Sequence, residues 1–391
     1  MRRRTFLAMG AGAVAPLVLT APADAAAAQS HTTPAADSAG SDSLRDLAAR
    51  IGLRFGTAVI PTDLDTPSYA AVLADQFSVV TPGNAMKWGS VEPTQGQFDW
   101  SDADALVAFA ERNGQLVRGH TLLWHNQLPD WLTTGVQNGT ISAGELASLL
   151  KQHIFTEVTR YRGRIWQWDV ANEFFLDANP SGIDPNNFWI ANCGTEIIAD
   201  AFRWAHEADP HALLFFNDYN IAGEDGTNAK SDAVYAWLRQ MLAQGVPIHG
   251  VGDQGHLDTQ YGFPTQMAAD LQRYADLGLK VAITEADVRT FVDGPTTQVP
   301  TDHLATFAQP YEFSQMLKAA LAVPECISFT CWGFCDADSW IPGFFTGQGY
   351  GTIYDVNLQP KPAFYDLQQD LRLAAEGAPH RVGGSNGGFG S

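Results

Sequence analysis

The chain has 391 residues and a formal net charge of −20 at pH 7. So large a negative charge repels phosphate backbones, which argues against nucleic acid as a partner and is compatible with a neutral polysaccharide. Hydrophobic residues make up 45% of the sequence, and 11 Trp, 22 Phe and 10 Tyr are enough for a large core with aromatic side chains left over for a surface cleft.

Residues 1–28 have the pattern of an export signal. Arg3 and Arg4 precede Phe6 and Leu7, an apolar run follows, and an Ala-rich stretch ends the segment. This order resembles a twin-arginine signal, which implies export of a folded protein. The alternative is a membrane anchor, but the apolar run is shorter than the roughly 20 residues that span a bilayer. We therefore expect a secreted, extracellular protein with no membrane attachment after the signal is removed.

Composition predicts three further segments. Residues 29–41 read as a flexible polar leader, residues 42–372 as a single folded domain, and residues 373–391 as a Gly/Ser-rich tail. An exported protein can hold a disulfide, but the sequence does not decide the pairing. The cysteines are Cys193, Cys326, Cys331 and Cys335.

Eight short apolar or aromatic runs recur along this domain, separated by amphipathic, helix-like stretches. The runs cover residues 55–60, 78–81, 117–124, 165–170, 212–216, 250–254, 280–284 and 326–332. Alternating strands and helices indicate a parallel sheet, and this count favours closure into a (β/α)8 TIM barrel. The alternative is an open, doubly wound sheet, but the sequence contains no Gly-rich phosphate loop of the kind that fold uses. Helices are predicted at residues 102–113 and 229–243, ended by Gly114 and Gly245.

In a barrel, the polar residues that follow the strands meet at one face, where the active site lies. Here they are amides, histidines, glutamates and tryptophans, which suit the hydroxyls and the flat C–H faces of a pyranose ring. The candidates are Asn84, Lys87, His120, Trp124, Gln127, Asn172, Glu173, Gln254, His256, Glu285, Asp287, Trp332 and Trp340. Residues 217–220, Asn-Asp-Tyr-Asn, close the fifth run and belong to the same face.

Glu173 closes the fourth predicted strand and Glu285 the seventh, so they approach a bound sugar from opposite sides of the ring. Glycoside hydrolysis needs a carboxylic acid to protonate the leaving oxygen and a carboxylate to attack the anomeric carbon or to activate water. A non-catalytic polysaccharide-binding protein would need the tryptophans but not both glutamates. A metal hydrolase is suggested by His120, His125 and His256, but no His-Glu-x-x-His motif or Cys/His cluster supports it. We therefore expect a glycoside hydrolase that needs no metal and no cofactor.

The segments around both glutamates carry a more specific signal. They read Trp-Asp-Val-Ala-Asn-Glu at 168–173 and Ile-Thr-Glu-Ala-Asp at 283–287. Further matching segments are Met-Lys-Trp at 86–88, Val-Glu-Pro at 91–93, Gly-His-Thr-Leu-Leu-Trp-His at 119–125, Phe-Asn-Asp-Tyr-Asn at 216–220 and Cys-Trp-Gly-Phe at 331–334. Together, from about residue 50 to 370, the sequence strongly resembles glycoside hydrolase family 10, the endo-β-1,4-xylanase family. The resemblance implies a retaining enzyme that cleaves internal β-1,4-xylosidic bonds of xylan by double displacement, and we expect it to be a monomer.

The resemblance also implies roles by position. Glu173 matches the acid/base of the family and Glu285 matches its nucleophile. Asn172 matches the residue that binds the 2-hydroxyl of the reacting sugar, His256 matches the residue that binds the nucleophile, and Asp287 would hold that imidazole. The candidates expected to bind substrate are Asn84, Lys87, His120, Trp124, Gln127, Gln254, Trp332 and Trp340.

Three positions depart from the family pattern. Gly83 stands where the family usually has a Glu that binds the second glycone sugar, and Ile341 stands where an Arg commonly follows the last tryptophan. Ala320 replaces the usual cysteine partner of Cys326. The reacting subsite is therefore predicted to be intact and the second glycone subsite to be weakened. A preference for another β-glycoside or for a substituted chain stays open.

Overall fold

The computed structural model describes residues 42–377 of the chain. The strands in that range are β1 (Arg54–Val59), β2 (Val79–Pro82), β3 (Leu116–Leu123), β4 (Gln167–Asn172), β5 (Leu213–Asp218), β6 (Gly250–Asp253), β7 (His256–Asp258), β8 (Lys280–Phe291), β9 (Cys326–Cys331) and β10 (Gln348–Gly349). All except β7 and β10 form a ring of parallel strands in the order β1-β2-β3-β4-β5-β6-β8-β9, and β9 pairs back to β1. The predicted (β/α)8 barrel is confirmed, and the open sheet is wrong because both would-be edge strands are paired.

The strand that carries Glu285 extends beyond the ring. The sequence predicts its end at residue 284, but β8 continues to Phe291. Its outer part pairs with β7 in parallel and with β10 in antiparallel orientation, so this polar segment finds backbone partners outside the barrel. The pairing sets His256 opposite Asp287, and the extension thus builds part of the candidate site.

Helices connect the strands and pack around the ring. Their bounds are α1 (Leu44–Arg50), α2 (Pro67–Gln76), α3 (Trp88–Val91), α4 (Ser101–Arg112), α5 (Asp130–Gln137), α6 (Ala143–Arg160), α7 (Phe188–Cys193), α8 (Glu196–Ala208), α9 (Ala229–Ala243), α10 (Met267–Ala275), α11 (Ala305–Ala322), α12 (Ile341–Phe344) and α13 (Pro362–Gly377). Short 3-10 helices lie at Pro61–Asp65 and Asp336–Asp338.

Local sequence explains where several helices begin and end. Ser142 caps α6, because its hydroxyl accepts a hydrogen bond from the backbone N–H of Glu145 at 3.3 Å. The predicted helix stops at Gly114 and Gly245 are confirmed: both residues have positive φ, 61° and 69°, immediately beyond α4 and α9. After α9, the N–H of Val246 bonds back to the carbonyl of Met241 at 3.1 Å and satisfies an end of the helix.

The last helix changes one predicted boundary. α13 continues to Gly377, so residues 373–377 belong to a helix and not to the predicted tail. Ala374 and Ala375 are partly buried against the core, which gives this turn an apolar face. The predicted export signal at 1–28, the leader at 29–41 and residues 378–391 of the tail lie outside the described residues.

Helix length and cysteine state can be described for residues 42–377. Each helix in this range is too short or too polar to cross a lipid bilayer. Cys193, Cys331 and Cys335 carry thiols that form no disulfide in the described part of the chain.

The ring requires close approach of backbone and aromatic side chains at Gly119. A Cβ atom at this position would lie 2.2 Å from Cε3 of Trp168 on the neighbouring strand. Trp168 is fully buried and its planar ring has no space to turn away. The position of the Trp168 ring on β4 therefore requires a glycine at position 119 on β3.

Gly119→Ala is expected to lower the free energy of unfolding by about 1–3 kcal/mol, because the added methyl overpacks a filled interior. Gly144→Ala is the matched control, since a Cβ in the first turn of α6 meets no atom within 4 Å. We expect the control to stabilise the fold by up to about 1 kcal/mol. Urea unfolding followed by tryptophan fluorescence measures both changes, and equal stability of the two variants would contradict the packing argument.

Candidate active site

The carboxyl ends of the ring strands open into one cleft of about 880 Å³. Most of the predicted site residues line it, namely Asn84, Lys87, His120, Trp124, Gln127, Glu173, Gln254, His256, Glu285, Trp332 and Trp340. The remaining two, Asn172 and Asp287, are buried and contact residues that line the cleft. The structure therefore brings the whole predicted set together.

The carboxylate of Glu285 has donors on both oxygens. Asn217 Nδ2 donates to Oε1 at 2.8 Å, and Arg118 Nη2 lies 3.4 Å from the same oxygen. His256 Nε2 lies 3.5 Å from Oε2. Contacts from three strands thus fix the orientation of a side chain that is almost completely buried.

Opposing effects set the protonation of Glu285. Burial raises the pKa of this carboxyl, but the hydrogen bond with His256 and the charges of His120, Arg118 and His256 outweigh burial and hold the pKa at about 2. Burial lowers the pKa of His256, but Asp287 and Glu285 together raise it to about 10. At neutral pH Glu285 is therefore an anion and His256 a cation.

His256 is oriented from behind by Asp287. Nδ1 of the imidazole lies 3.0 Å from Oδ2 of Asp287, and Trp340 Nε1 donates to the same oxygen at 2.8 Å. The indole of Trp340 also packs against the imidazole, with ring centroids 5.1 Å apart. A carboxylate at one ring nitrogen directs the other nitrogen towards Glu285.

Glu173 follows the last residue of β4 with a positive φ of 61°. For a residue other than glycine this conformation costs about 1–3 kcal/mol and persists only where neighbours hold it. Asp218 supplies that support, because its Oδ2 accepts the backbone N–H groups of Phe174 and Phe175 at 3.0 and 3.2 Å. The turn directs the carboxyl of Glu173 into the cleft.

Amide side chains connect the two carboxyl groups. Gln254 Nε2 donates to Glu173 Oε1 at 3.0 Å, while Asn217 Nδ2 lies 2.8 Å from both Glu285 Oε1 and Asn172 Oδ1. Gln254 Nε2 also lies 3.5 Å from Asn172 Oδ1. The buried Nδ2 of Asn172 has no hydrogen-bond partner within residues 42–377, which leaves it for a ligand hydroxyl.

Lys87 and Trp124 form one wall of the cleft. Trp124 Nε1 donates to Glu173 Oε2 at 2.7 Å, and Lys87 Nζ lies 4.7 Å from the centroid of the Trp124 ring. Asn84 Oδ1 accepts hydrogen bonds from Lys87 Nζ at 3.0 Å and from Gln127 Nε2 at 3.1 Å. Burial lowers the pKa of Lys87 to about 8, although the two nearby carboxylates act in the opposite direction.

Sequence reasoning missed buried residues beneath the cleft. Arg118 and Asp169 lie inside β3 and β4 with 1% and 0% exposure, and Nδ1 of His120 lies 2.8 Å from Oδ2 of Asp169. A charged residue inside an otherwise apolar strand was the available signal, because a buried charge needs a partner. Asn217 belongs to the segment 217–220 that the sequence places on this face without a role.

The altered loop after the last tryptophan contributes aromatic surface. Phe344 and Phe345 line the cleft, and Arg289 lies over the Phe345 ring at 4.0 Å from its centroid. Arg289 Nε is also 3.2 Å from Oδ2 of Asp258. Ile341, at the start of α12, is fully buried and apolar, so it offers the cleft no charged group where the family commonly has an arginine.

Each of the three histidines near the cleft contacts its own set of partners. His120 contacts Asp169, His256 contacts Asp287 and Glu285, and His125 Nδ1 lies 3.2 Å from the amide of Asn187. Over residues 42–377, no group of three or more His, Cys, Asp or Glu side chains has the arrangement of a metal site.

A closed (β/α)8 ring with two glutamates facing one sugar-binding cleft defines a barrel-fold glycoside hydrolase. The model of glycosyl hydrolase family 10 matches residues 43–370, and the chain belongs to this family. The resemblance found in the sequence is thus confirmed.

Named relatives agree with that assignment. The chain is 39% identical over 328 residues to an endo-1,4-beta-xylanase of Agaricus bisporus, which covers 83% of this chain and 93% of that protein. It is 38% identical over 332 residues to endo-1,4-beta-xylanase B of Thermotoga neapolitana, with coverage of 83% and 90%. The solved structure of native xylanase 10B from Thermotoga maritima superposes with a TM-score of 0.79 at 37% identity, covering 85% and 99% of the two chains.

Replacing His256 by Asn is expected to change how stability depends on pH. Folding raises the pKa of His256 from 6.5 to about 10, so the associated stability is fully present below pH 6.5 and is lost as the pH rises to about 10. The difference in free energy of unfolding between wild type and variant should shrink over this window, by at most about 1.4 kcal/mol per pH unit. Urea unfolding at pH 6, 8 and 10 measures it.

His211→Asn is the matched control, because this histidine is exposed on the surface. The control should differ from wild type by the same small amount at all three pH values. A wild-type profile parallel to that of His256→Asn would show that the imidazole is not stabilised as a cation.

Proposed function

We propose that this chain cleaves internal β-1,4-xylosidic bonds of xylan by a retaining double displacement, with Glu173 as acid/base and Glu285 as nucleophile. One observation carries the proposal: the two glutamates face one cleft in opposite environments. Cationic neighbours hold Glu285 as an anion, whereas the hydrogen-bond donors to Glu173 are the neutral Trp124 and Gln254. The reaction requires one carboxylate that attacks the anomeric carbon and a second carboxyl group that gives its proton to the leaving oxygen.

The substrate class rests on the family. Relatives that are 36–39% identical over most of the chain are endo-1,4-β-xylanases. A solved structure at 36% identity is xylanase 10B from Thermotoga petrophila in complex with xylobiose. This chain is accordingly an enzyme of the endo-1,4-β-xylanase class, and its substrate is xylan.

In the first step, the Glu285 carboxylate attacks the anomeric carbon while Glu173 gives its proton to the leaving oxygen. The glycosidic C–O bond breaks, its electron pair goes to the protonated leaving group, and an ester bond forms between the sugar and Glu285. Asn172 donates its unpartnered Nδ2 to the 2-hydroxyl of that sugar. The contact strengthens as charge develops at the anomeric carbon, so it favours the transition state over the ground state.

In the second step, Glu173 acts as a base. Glu285 has become a neutral ester, which removes the repulsion between two anions and allows Glu173 to hold the negative charge left by its proton. It accepts a proton from water, the water oxygen bonds to the anomeric carbon, and Glu285 leaves as a carboxylate. Two inversions at one carbon retain the β configuration.

The supporting residues act on the two carboxyl groups. His256 holds Oε2 of Glu285 and is itself held by Asp287, while Gln254 holds Oε1 of Glu173. These contacts orient both carboxyl groups before substrate arrives, which lowers the ordering cost of the transition state.

Flat aromatic surfaces and polar groups bind the glycone sugars. The indoles of Trp332 and Trp340 stack on sugar faces, and Lys87 and His120 donate to hydroxyls. The second glycone subsite is weakened, because Gly83 offers no carboxylate and Ile60 lies against it. Binding further along the chain depends on the remaining polar contacts.

We further propose that the enzyme is exported by the twin-arginine route and works as a monomer. The arginine pair and apolar run within residues 1–28 support export. The proposed site needs no residue from a second chain, and a monomer is therefore sufficient for the activity.

Glu285→Ala is expected to abolish hydrolysis of xylan, and Glu173→Ala to slow it about 10²–10⁴-fold through loss of proton transfer. Azide should rescue both variants on aryl β-xylobiosides with opposite stereochemistry: α-glycosyl azide from Glu285→Ala and β-glycosyl azide from Glu173→Ala. Proton NMR of the products distinguishes them. Glu145→Ala, an exposed glutamate at the start of α6, is the control and should keep full activity. Undiminished hydrolysis by Glu285→Ala would refute the assignment.

Restoring an acid at the second glycone subsite is expected to tighten binding. Gly83→Glu needs space, because a Cβ there would lie 3.0 Å from Cδ1 of Ile60, so it is combined with Ile60→Ala. One charged hydrogen bond contributes about 1.5–3 kcal/mol, and the double variant should lower KM for xylotriose roughly tenfold or more. Ile60→Ala alone is the control. A KM that the double variant leaves at the value of this control would contradict a weakened subsite.

A further inference from the structure

We propose that Arg118 is a positioning residue that holds Oε1 of Glu285 and compensates its charge, while the Asp169 carboxylate is shared between Arg118 and His120 and holds the guanidinium in place. Because it takes Glu285 as the nucleophile, this inference rests on the proposed function. It assigns a role to a pair of residues that do not touch substrate.

The guanidinium of Arg118 lies inside the ring directly beneath Glu285. Nη1 donates to the backbone carbonyl of Thr284 at 2.7 Å, and Nη2 lies 3.4 Å from Glu285 Oε1. Asn217 Nδ2 donates to the same oxygen at 2.8 Å. Arg118 thus contacts both the backbone before the nucleophile and its carboxylate, so the guanidinium restrains where Oε1 can lie.

Asp169 is shared between Arg118 and His120. Arg118 Nη2 donates to Oδ2 of Asp169 at 2.5 Å, and His120 Nδ1 lies 2.8 Å from the same oxygen. His120 in turn lines the cleft, with its ring 5.2 Å from that of Trp332. A continuous chain of contacts therefore runs from Trp332 at the cleft surface through His120 to Glu285. Its inner links are the buried charges of Asp169 and Arg118.

Titratable or charged groups face Glu285 from several strands. They are Lys87 after β2, Arg118 and His120 on β3, Asp169 on β4, Glu173 after β4, His256 on β7 and Asp287 on β8. Among the cations, only the guanidinium cannot lose its proton under conditions in which a protein stays folded. The positive charge of Arg118 beside Glu285 is therefore the same at every pH at which the protein is folded.

The pairing matters in both halves of the reaction. When the sugar–Glu285 ester forms, the carboxylate loses its charge, and Arg118 keeps a partner because its hydrogen bond to Asp169 remains. When water cleaves the ester, the carboxylate reappears beside a guanidinium that is already in place. Glu285 leaves more readily as an anion with a nearby cation, and no reorganisation of the interior is needed.

The test is the pH dependence of kcat/KM on xylotriose. Arg118→Gln is expected to move the acid limb to higher pH by roughly one to three units, because a carboxyl that loses a nearby cation binds its proton more tightly. Arg118→Lys retains a cation and should keep the limb within about half a unit of wild type. Asp169→Asn leaves Arg118 to Glu285 alone, so its limb should stay at the wild-type value or move lower.

The double variant Arg118→Gln/Asp169→Asn guards against misfolding, because it removes both charges and leaves neither buried alone. Its acid limb should move up like that of Arg118→Gln. A limb that stays at the wild-type pH in the double variant, with activity reduced equally at every pH, would overturn the inference and indicate a purely structural arginine. Azide rescue of Glu285→Ala tests the nucleophile separately, so failure of the proposed function and failure of this inference give different results.

Discussion

The site depends on keeping one carboxylate charged inside a closed barrel. A buried anion costs several kcal/mol unless it is paired and hydrogen-bonded. Glu285 is 4% exposed and receives its compensation from β3, β5 and β7 through Arg118, Asn217 and His256. These strands are distant in sequence and meet only because the ring closes. Closure of the barrel therefore allows the buried nucleophile to stay ionised at neutral pH.

The second glutamate, Glu173, has different neighbours in the same barrel. Glu173 sits on a turn with positive φ, and its two carboxyl oxygens accept hydrogen bonds from a tryptophan N–H and an amide, both of them neutral. Asn172 and Asn217 lie between the two carboxyl groups and fix their relative position. Charge compensation on one side and neutral donors on the other give two identical side chains two different functions.

Two of the three positions at which the sequence departs from the family pattern lie beside the reacting centre. Ile60 lies beside Gly83 at the glycone end, whereas Phe344, Phe345 and Arg289 line the cleft near Trp340. The reacting centre is built from residues inside or immediately after the strands, which packing holds in place. Phe344 and Phe345 belong to α12 and the residue after it, outside the ring, where side chains can change without disturbing the barrel.

The amino-acid sequence by itself determined the barrel, the two glutamates and the set of cleft residues, because short, almost continuously buried strands with polar ends leave a local pattern of apolar runs along the chain. It also contained the family signature around Glu173 and Glu285. Only the tertiary structure decided that β8 runs on to pair with β7, that Ile341 is buried, and that Arg118 and Asp169 lie beneath the nucleophile. The reason is physical: which charges neutralise one another depends on distances of a few ångströms between strands far apart in the chain, and no local pattern encodes those distances.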